Sequence, residues 1–260
     1  MSSHRTHTKI PGAPDYDSPQ FWDARFASGQ DVGEWLNPGE PLIDAFVKDL
    51  DGRFAETVTP RSLHLGPGVS TLGYKIQDVY QQRGWKSWNI VNVDFSAEAV
   101  RRGLESESQK PRDQAMAWHQ ADLLSWNDVS KLCPLGPFDL IMDKSTSDAI
   151  ATSADRRLRL DTNDADDSSL SPVVREVICQ IGEIDISPVD LLALHLVSLT
   201  RKGTSWMVLS YSSLRFEKRS LLNQFWSLRS RIPIKAPSGN TCSSAYTPDV
   251  YHWLYILDRK

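Results

Sequence analysis

Leu63-His64-Leu65-Gly66-Pro67-Gly68-Val69-Ser70 runs from an apolar segment into a glycine-rich turn, and beyond it Leu72, Ile76, Val79 and Tyr80 recur at offsets of four, seven and eight residues. That spacing puts the four side chains on one face of a helix, so the stretch reads as strand (Arg61 to Leu65), turn and helix. Glycines in such a turn carry no Cβ and let a ligand approach the backbone closely. The N-terminus of the following helix also suits an electron-rich group such as a carboxylate. Alone, a Gly-x-Gly turn can equally be structural.

The same alternation continues outward. Asn89-Ile90-Val91-Asn92-Val93 is the next strand and ends at Asp94, with Ser96 as the N-cap of a helix that turns Val100 and Leu104 inward. Ala115 to Ala121 reads as a third strand. Phe138-Asp139-Leu140-Ile141-Met142 is a compact apolar strand that again ends in an acid, Asp143. Leu191 to Leu199 is helical, with Arg201 and Lys202 in its last turn and Gly203 as C-cap, and the strand Ser205 to Leu209 follows at once. Five β/α units in this order predict a Rossmann-like, doubly wound α/β fold with a mostly parallel sheet. A helical pattern around Leu221 to Leu228 and a closing strand Tyr251 to Leu257 remain, and two late strands flanking the turn-rich Ala236 to Pro248 are expected to pair as an antiparallel hairpin at the sheet edge.

Length and composition fit one large soluble domain: 260 residues, 40% hydrophobic and 24% charged. Residues 1 to 18, polar and proline-rich, are expected to be a flexible lead-in, and 19 to 260 the folded domain. Ser153 to Ser171 lacks periodicity and is long for a connection, so the region 153–187 reads as a loop or lid insert. A net charge of -4 without a basic stripe disfavours nucleic-acid binding. The most basic stretch, Arg229 to Lys235, reads as a solvated helix end or a contact for an acidic acceptor. Three separated cysteines, Cys133, Cys179 and Cys242, show no metal-ligand or disulfide spacing and fit reduced cytoplasm. No apolar run is long enough for a membrane span, and the opening residues lack a secretory h-region.

Asp94 gives the glycine turn its meaning, because open α/β sheets present an acid there to a ribose diol at the topological switch point. A nicotinamide dehydrogenase would use the same pair. Here, however, Thr71 stands where the third glycine of Gly-x-Gly-x-x-Gly belongs, and no tyrosine is followed four residues later by lysine. Methyl transfer is favoured over hydride transfer.

Several segments resemble the seven-strand methyltransferases of the methyltransferase-like 13 and elongation-factor 1A lysine methyltransferase 4 type, over most of the chain from Phe21 onward. Phe21-Trp22-Asp23-Ala24-Arg25-Phe26 is similar to the family's Tyr-Trp-x-x-Arg-Tyr, with Trp35 shortly after it. Leu65 to Ser70 is similar to Leu-Gly-x-Gly-x-Ser, and Val93 to Ser96 to Val-Asp-x-Ser. Ala121-Asp122-Leu123 follows the third strand, and Tyr251 to Tyr255 resembles the closing strand. Most specific is Phe138 to Ala149, similar to Phe-Asp-x-x-x-Asp/Glu-Lys-Gly-Thr-x-Asp-Ala.

The resemblance implies a seven-stranded sheet and S-adenosyl-L-methionine (SAM) as cofactor. By it, Gly66 and Gly68 pass close to the methionine moiety, Asp94 grips the ribose hydroxyls and Asp122 faces the adenine amino group, while Leu65, Pro67, Phe95, Ser96 and Leu123 also belong to the cofactor site. Trp22 and Arg25 close the site from the N-terminal side, while Asp143 and Lys144 border the cofactor. Asp143 or Asp148 would orient the acceptor, either a protein lysine or a small metabolite, at nitrogen or oxygen. No metal is needed. His195 and His252 are possible bases, although a lone histidine on an apolar pattern is more often part of the core. Pro67, Ser145 and Ser147 depart from the family pattern. The rival reading is a non-catalytic SAM-fold binding or scaffold module.

Overall fold

The structure is a computed structural model and describes residues 14–28, 34–54, 58–160, 169–236 and 249–260. Two helices lead, α1 (Pro19–Ala27) and α2 (Glu40–Arg53). Then β1 (Ser62–Leu65), α3 (Leu72–Gln82), β2 (Ile90–Asp94), α4 (Ala97–Glu107), β3 (Ala117–Gln120), α5 (Trp126–Leu132) and β4 (Phe138–Lys144) alternate. After α6 (Thr146–Ile150) come β5 (Arg156–Leu158), α7 (Pro172–Ile181), β6 (Ile184–Ile186), α8 (Pro188–Leu199) and β7 (Thr200–Ser210). The chain closes with α9 (Leu222–Phe225), β8 (Trp226–Lys235) and β9 (Tyr251–Arg259).

Seven strands form one sheet in the order β3-β2-β1-β4-β7-β9-β8. The first five are parallel, and β9 joins antiparallel to both β7 and β8. This is the mostly parallel sheet with an antiparallel edge that the sequence predicts. Every residue of β1, β2 and β4 is buried, as expected for parallel strands covered by helices on both faces. The pleat sorts their side chains: Ile141, Trp206 and Val208 enter the core shared with α7 and α8, whereas Leu140, Met142, Met207 and Leu209 enter the one beneath α2 and α3. Because β2 and β4 flank β1, their connecting helices diverge and leave a crevice at the carboxyl ends of these strands.

Several local expectations are corrected. Leu104 points outward and is 51% exposed, because α4 turns Ala99, Val100 and Gly103 inward. A Cβ on Gly103 would fall 2.2 Å from the Trp118 ring, so the large ring sets the helix rotation. Arg201, Lys202 and Gly203 belong to β7, not to the end of α8. Phe138 pairs with Thr200 but Leu140 with Ser205, so β7 carries extra residues there, and Gly203 turns the irregularity at φ 87. The helical pattern at Leu221 to Leu228 stops at Phe225 because Trp226 enters β8, where its ring is buried and its Nε1 donates to Ala193 O at 3.0 Å. Arg229 to Lys235 is therefore an edge strand, with Arg229 paired to Asp49 and Asp258, Arg231 to Glu217 and Lys235 to Asp249.

Within 153–187 the described residues form the antiparallel pair β5–β6 and α7, whose Val174, Val177 and Ile178 are buried in the main core. Residues 161–168 of this stretch and 1–13 of the expected lead-in lie outside the described residues, as does Cys242. Among the described residues no helix is long and apolar enough to cross a membrane.

Candidate active site

A cavity of about 800 Å³ occupies the crevice. On one side its wall comes from the ends of β1, β2 and β3: Gly66 to Ser70, Val93 to Phe95 and Gln120 to Leu124. On the other side stand Lys144, Ser145, Thr146 and Asp148 to Ile150 after β4, with Tyr211 after β7. Tyr16, Trp22, Arg25, Phe26 and Trp35 cover it from the N-terminal segment.

The turn after β1 needs its glycines. Gly66 and Gly68 have φ of 52 and 53, in the left-handed region. A Cβ on Gly66 would lie 2.3 Å from Thr146 Oγ1, which itself donates to Leu65 O at 2.8 Å. A Cβ on Gly68 would lie 2.9 Å from the tip of the Phe26 ring. The close approach is thus made first by the protein's own side chains. Ser145, at φ 69, also adopts the conformation that favours glycine.

Several of the turn's N–H groups are engaged within the chain. Gly66 N donates to Val93 O at 2.8 Å and Ser70 N to Pro67 O at 3.0 Å. Gly68 N donates to Asp94 Oδ2 at 2.9 Å. Thr71 N donates to Glu34 Oε1 at 2.7 Å and Leu72 N to Ser70 Oγ at 3.2 Å. Glu34 Oε2 also accepts from Ser70 Oγ at 2.7 Å and from Lys144 Nζ at 2.8 Å. Burial raises the Glu34 carboxyl, but the donors Lys144, Thr71 and Ser70 outweigh it and hold the group at about 2. Lys144 further donates to Trp35 O and Asn37 O, while burial lowers its pKa.

Asp94 lies at the cavity wall, 5% exposed, with Oδ1 accepting from Ser96 N at 2.9 Å. Burial pushes its carboxyl up to about 6 against the pull of the Ser96 and Gly68 amides. Two carboxylate oxygens offer about four acceptor sites, so both remain able to take a hydroxyl. Asp122 lines the cavity while accepting from Leu124 N at 2.8 Å.

Of the predicted site residues, Trp22, Arg25, Gly66, Pro67, Gly68, Asp94, Phe95, Asp122, Leu123, Lys144 and Asp148 meet around this one cavity. Leu65, Ser96 and Asp143 stand behind its wall. Asp143 is fully buried and caps α6, accepting from Thr146 N at 2.9 Å and Ser147 N at 3.2 Å. Burial pushes its carboxyl up to about 7. Asp148 is held by Ser210 Oγ, by Tyr211 N at 3.1 Å and by Arg215 Nη2 at 2.7 Å, an ion pair with both partners buried. His195 faces Leu123 O at 2.8 Å and His252 faces Asn37. No histidine is among the described residues that line the cavity.

No family model matches the chain. A curated relative, methyltransferase srdJ of Neurospora crassa, is 30% identical over 253 residues, covering 96% of this chain and 87% of the relative. The chain belongs to this methyltransferase family. A SAM-dependent methyltransferase from Anabaena variabilis superposes with a TM-score of 0.56 at 10% identity, covering 98% and 99% of the two chains. The N-methyltransferase NodS from Bradyrhizobium japonicum WM9, solved with S-adenosyl-L-homocysteine, gives a TM-score of 0.53 at 10% identity over 95% and 99%. The fold is therefore that of the class I SAM-dependent enzymes.

The methyltransferase site also depends on Tyr16 and Glu34, which motif reading misses, beside the motif residues Trp22, Asp23 and Trp35. Tyr16, Phe21, Trp22 and Trp35 form a ring cluster with centroid separations of 5.2 to 5.9 Å, closed by the Trp22 Nε1 hydrogen bond to Tyr16 O. Asp23 Oδ1 accepts from Ser96 Oγ at 2.6 Å and Glu98 N at 3.1 Å, fixing α1 to the start of α4. Asp23 and Glu34 thus perform across the fold the capping that sequence reading seeks within three residues of a helix. The aromatic density around Trp22 and Trp35 is the one local signal.

Proposed function

We propose that this methyltransferase binds SAM in the crevice and methylates a small molecule bearing an acidic hydroxyl, such as a phenol or an enol, in the cytoplasm. The cavity residues fit the cofactor. Gly66 and Gly68 would border its methionine part, Asp94 would accept from the ribose hydroxyls, and Gln120 to Leu123 would flank the adenine. Trp22 and Phe95 would cover it, and about 800 Å³ leaves room for a second, compact ligand.

SAM supplies a methyl group already activated on a sulfonium. The chain's contribution is to bind, align and keep water out, and alignment of this kind accounts for roughly 7 to 11 kcal/mol of barrier. A single observation carries the choice of acceptor: both acids expected to serve it are committed elsewhere. Asp143 caps α6, and Asp148 is neutralised by Arg215. A lysine ammonium would need a group to take its proton and an anion beside it. A hydroxyl that ionises by itself near neutral pH needs no base, so it suits a site whose two candidate acids are already committed.

The test is a tritiated-methyl assay with substituted phenols of graded pKa, beside a protein lysate. Label in the organic extract, increasing as phenol pKa falls, is the expected result. Label confined to protein would restore the lysine reading, and SAM binding with no transfer to either would restore the scaffold reading.

A further inference from the structure

Resting on the SAM reading of this cavity, we infer that Arg25 is the residue that receives the cofactor's carboxylate. In a strand–turn–helix site the expected receptor is the helix N-terminus, but here that position is filled from inside. The Glu34 carboxylate occupies Thr71 N–H, Ser70 Oγ takes Leu72 N–H, and Asp94 takes Gly68 N–H. An incoming anion there would meet the negative charge of Glu34, which makes a cation beside the turn the better receptor.

Four cationic side chains line the cavity. Lys144 is spent on Glu34 and Lys131 on Asp128, at 2.8 and 2.9 Å. Arg156 is engaged with Leu124 O, after β3 and away from the glycine turn. Arg25 alone combines two properties. Among the described residues it has no carboxylate partner; its guanidinium lies over the Trp35 ring, 5.7 Å from the centroid. It also sits beside the turn, because the next residue, Phe26, packs its ring against Gly68. Stacking on an aromatic face holds a guanidinium flat and leaves its edge free for bidentate carboxylate recognition.

The test uses full-length protein and calorimetry with two probes, SAM and decarboxylated SAM, which differ only in the carboxylate. Arg25→Ala should weaken SAM binding by about 10- to 100-fold, the range of a hydrogen-bonded charge, and change decarboxylated SAM by less than about twofold. Arg25→Lys should recover part of the SAM affinity, since the charge remains but the fork is lost. Equal losses for both probes would mean that Arg25 acts only through packing of the roof, and unchanged SAM affinity would remove it from the site; either result overturns the inference. Wild-type protein that binds decarboxylated SAM as tightly as SAM also overturns it while sparing the cofactor reading. Binding of neither probe defeats both.

Discussion

Replacing Glu34 by alanine is the sharpest test of how this site is held together. The carboxylate ties Lys144, Ser70 and Thr71 into one cluster, and its pKa is held at about 2 rather than 4.5. That displacement corresponds to about 3 kcal/mol at full strength, since one pKa unit is about 1.4 kcal/mol. The Glu34 side chain is 22% exposed, and solvent screening reduces the figure to about 1–2 kcal/mol. Truncation also strands the Lys144 ammonium, 5% exposed, with only two carbonyl partners, so Glu34→Ala should lose about 2–3 kcal/mol in all. Because the folded-state pKa lies below the ordinary one, the stabilisation is present above about pH 4.5 and is lost as pH falls through about 2. Urea unfolding at pH 7 reads the loss. Adding Lys144→Met to Glu34→Ala should cost at least about 1 kcal/mol less than it does in the wild-type chain. A Glu34→Ala loss under about 0.5 kcal/mol, or strictly additive substitutions, would refute the reasoning.

Asp94→Ala should weaken SAM binding by about 1–3 kcal/mol by calorimetry, since ribose hydroxyls lose their acceptor. In the wild-type chain burial pushes this carboxyl up to about 6, and hydroxyl donors require its ionised form, so SAM affinity should fall as pH drops below about 6; a flat profile from pH 7 to 5 contradicts the assignment. Gly66→Ala should cost more than about 1–2 kcal/mol in urea, because its left-handed φ alone costs that much and its Cβ would meet Thr146 2.3 Å away. Asp148→Asn should lower stability by about 3–5 kcal/mol by leaving Arg215 buried without its counter-charge. A variant of Asp148 that keeps full stability but loses methyl transfer would return it to a catalytic role.

Much of the architecture is legible in the chain because helical and strand periods act locally. Leu72, Ile76, Val79 and Tyr80 show their common face without any neighbour, and all four are buried. Asp94 at the cavity wall is legible for a related reason: an acid that ends an apolar strand stands out against the residues before it. Where the reading failed, the deciding partner was distant. Leu104 is turned outward by Trp118 across α4 and β3, and Trp226 leaves a helical pattern because its ring is taken by the core beside Ala193. Glu34 carries no pattern of its own, since its partners Thr71 and Lys144 stand 37 and 110 residues away. Asp143 and Asp148 were placed in the right neighbourhood, yet sequence could not reveal that amides and Arg215 occupy them.

The order of the sheet bears on how the polypeptide reaches this state during synthesis. β9 lies between β7 and β8, so β8, although made earlier, has no rung to climb onto until Tyr251 to Arg259 have left the ribosome. Until then Trp226 and the rest of that strand wait with their backbone groups unmatched, exposed to pairing with other chains. Translation that halts ahead of Tyr251 would strand β8 permanently, which makes the nine residues of β9 the keystone of the whole edge.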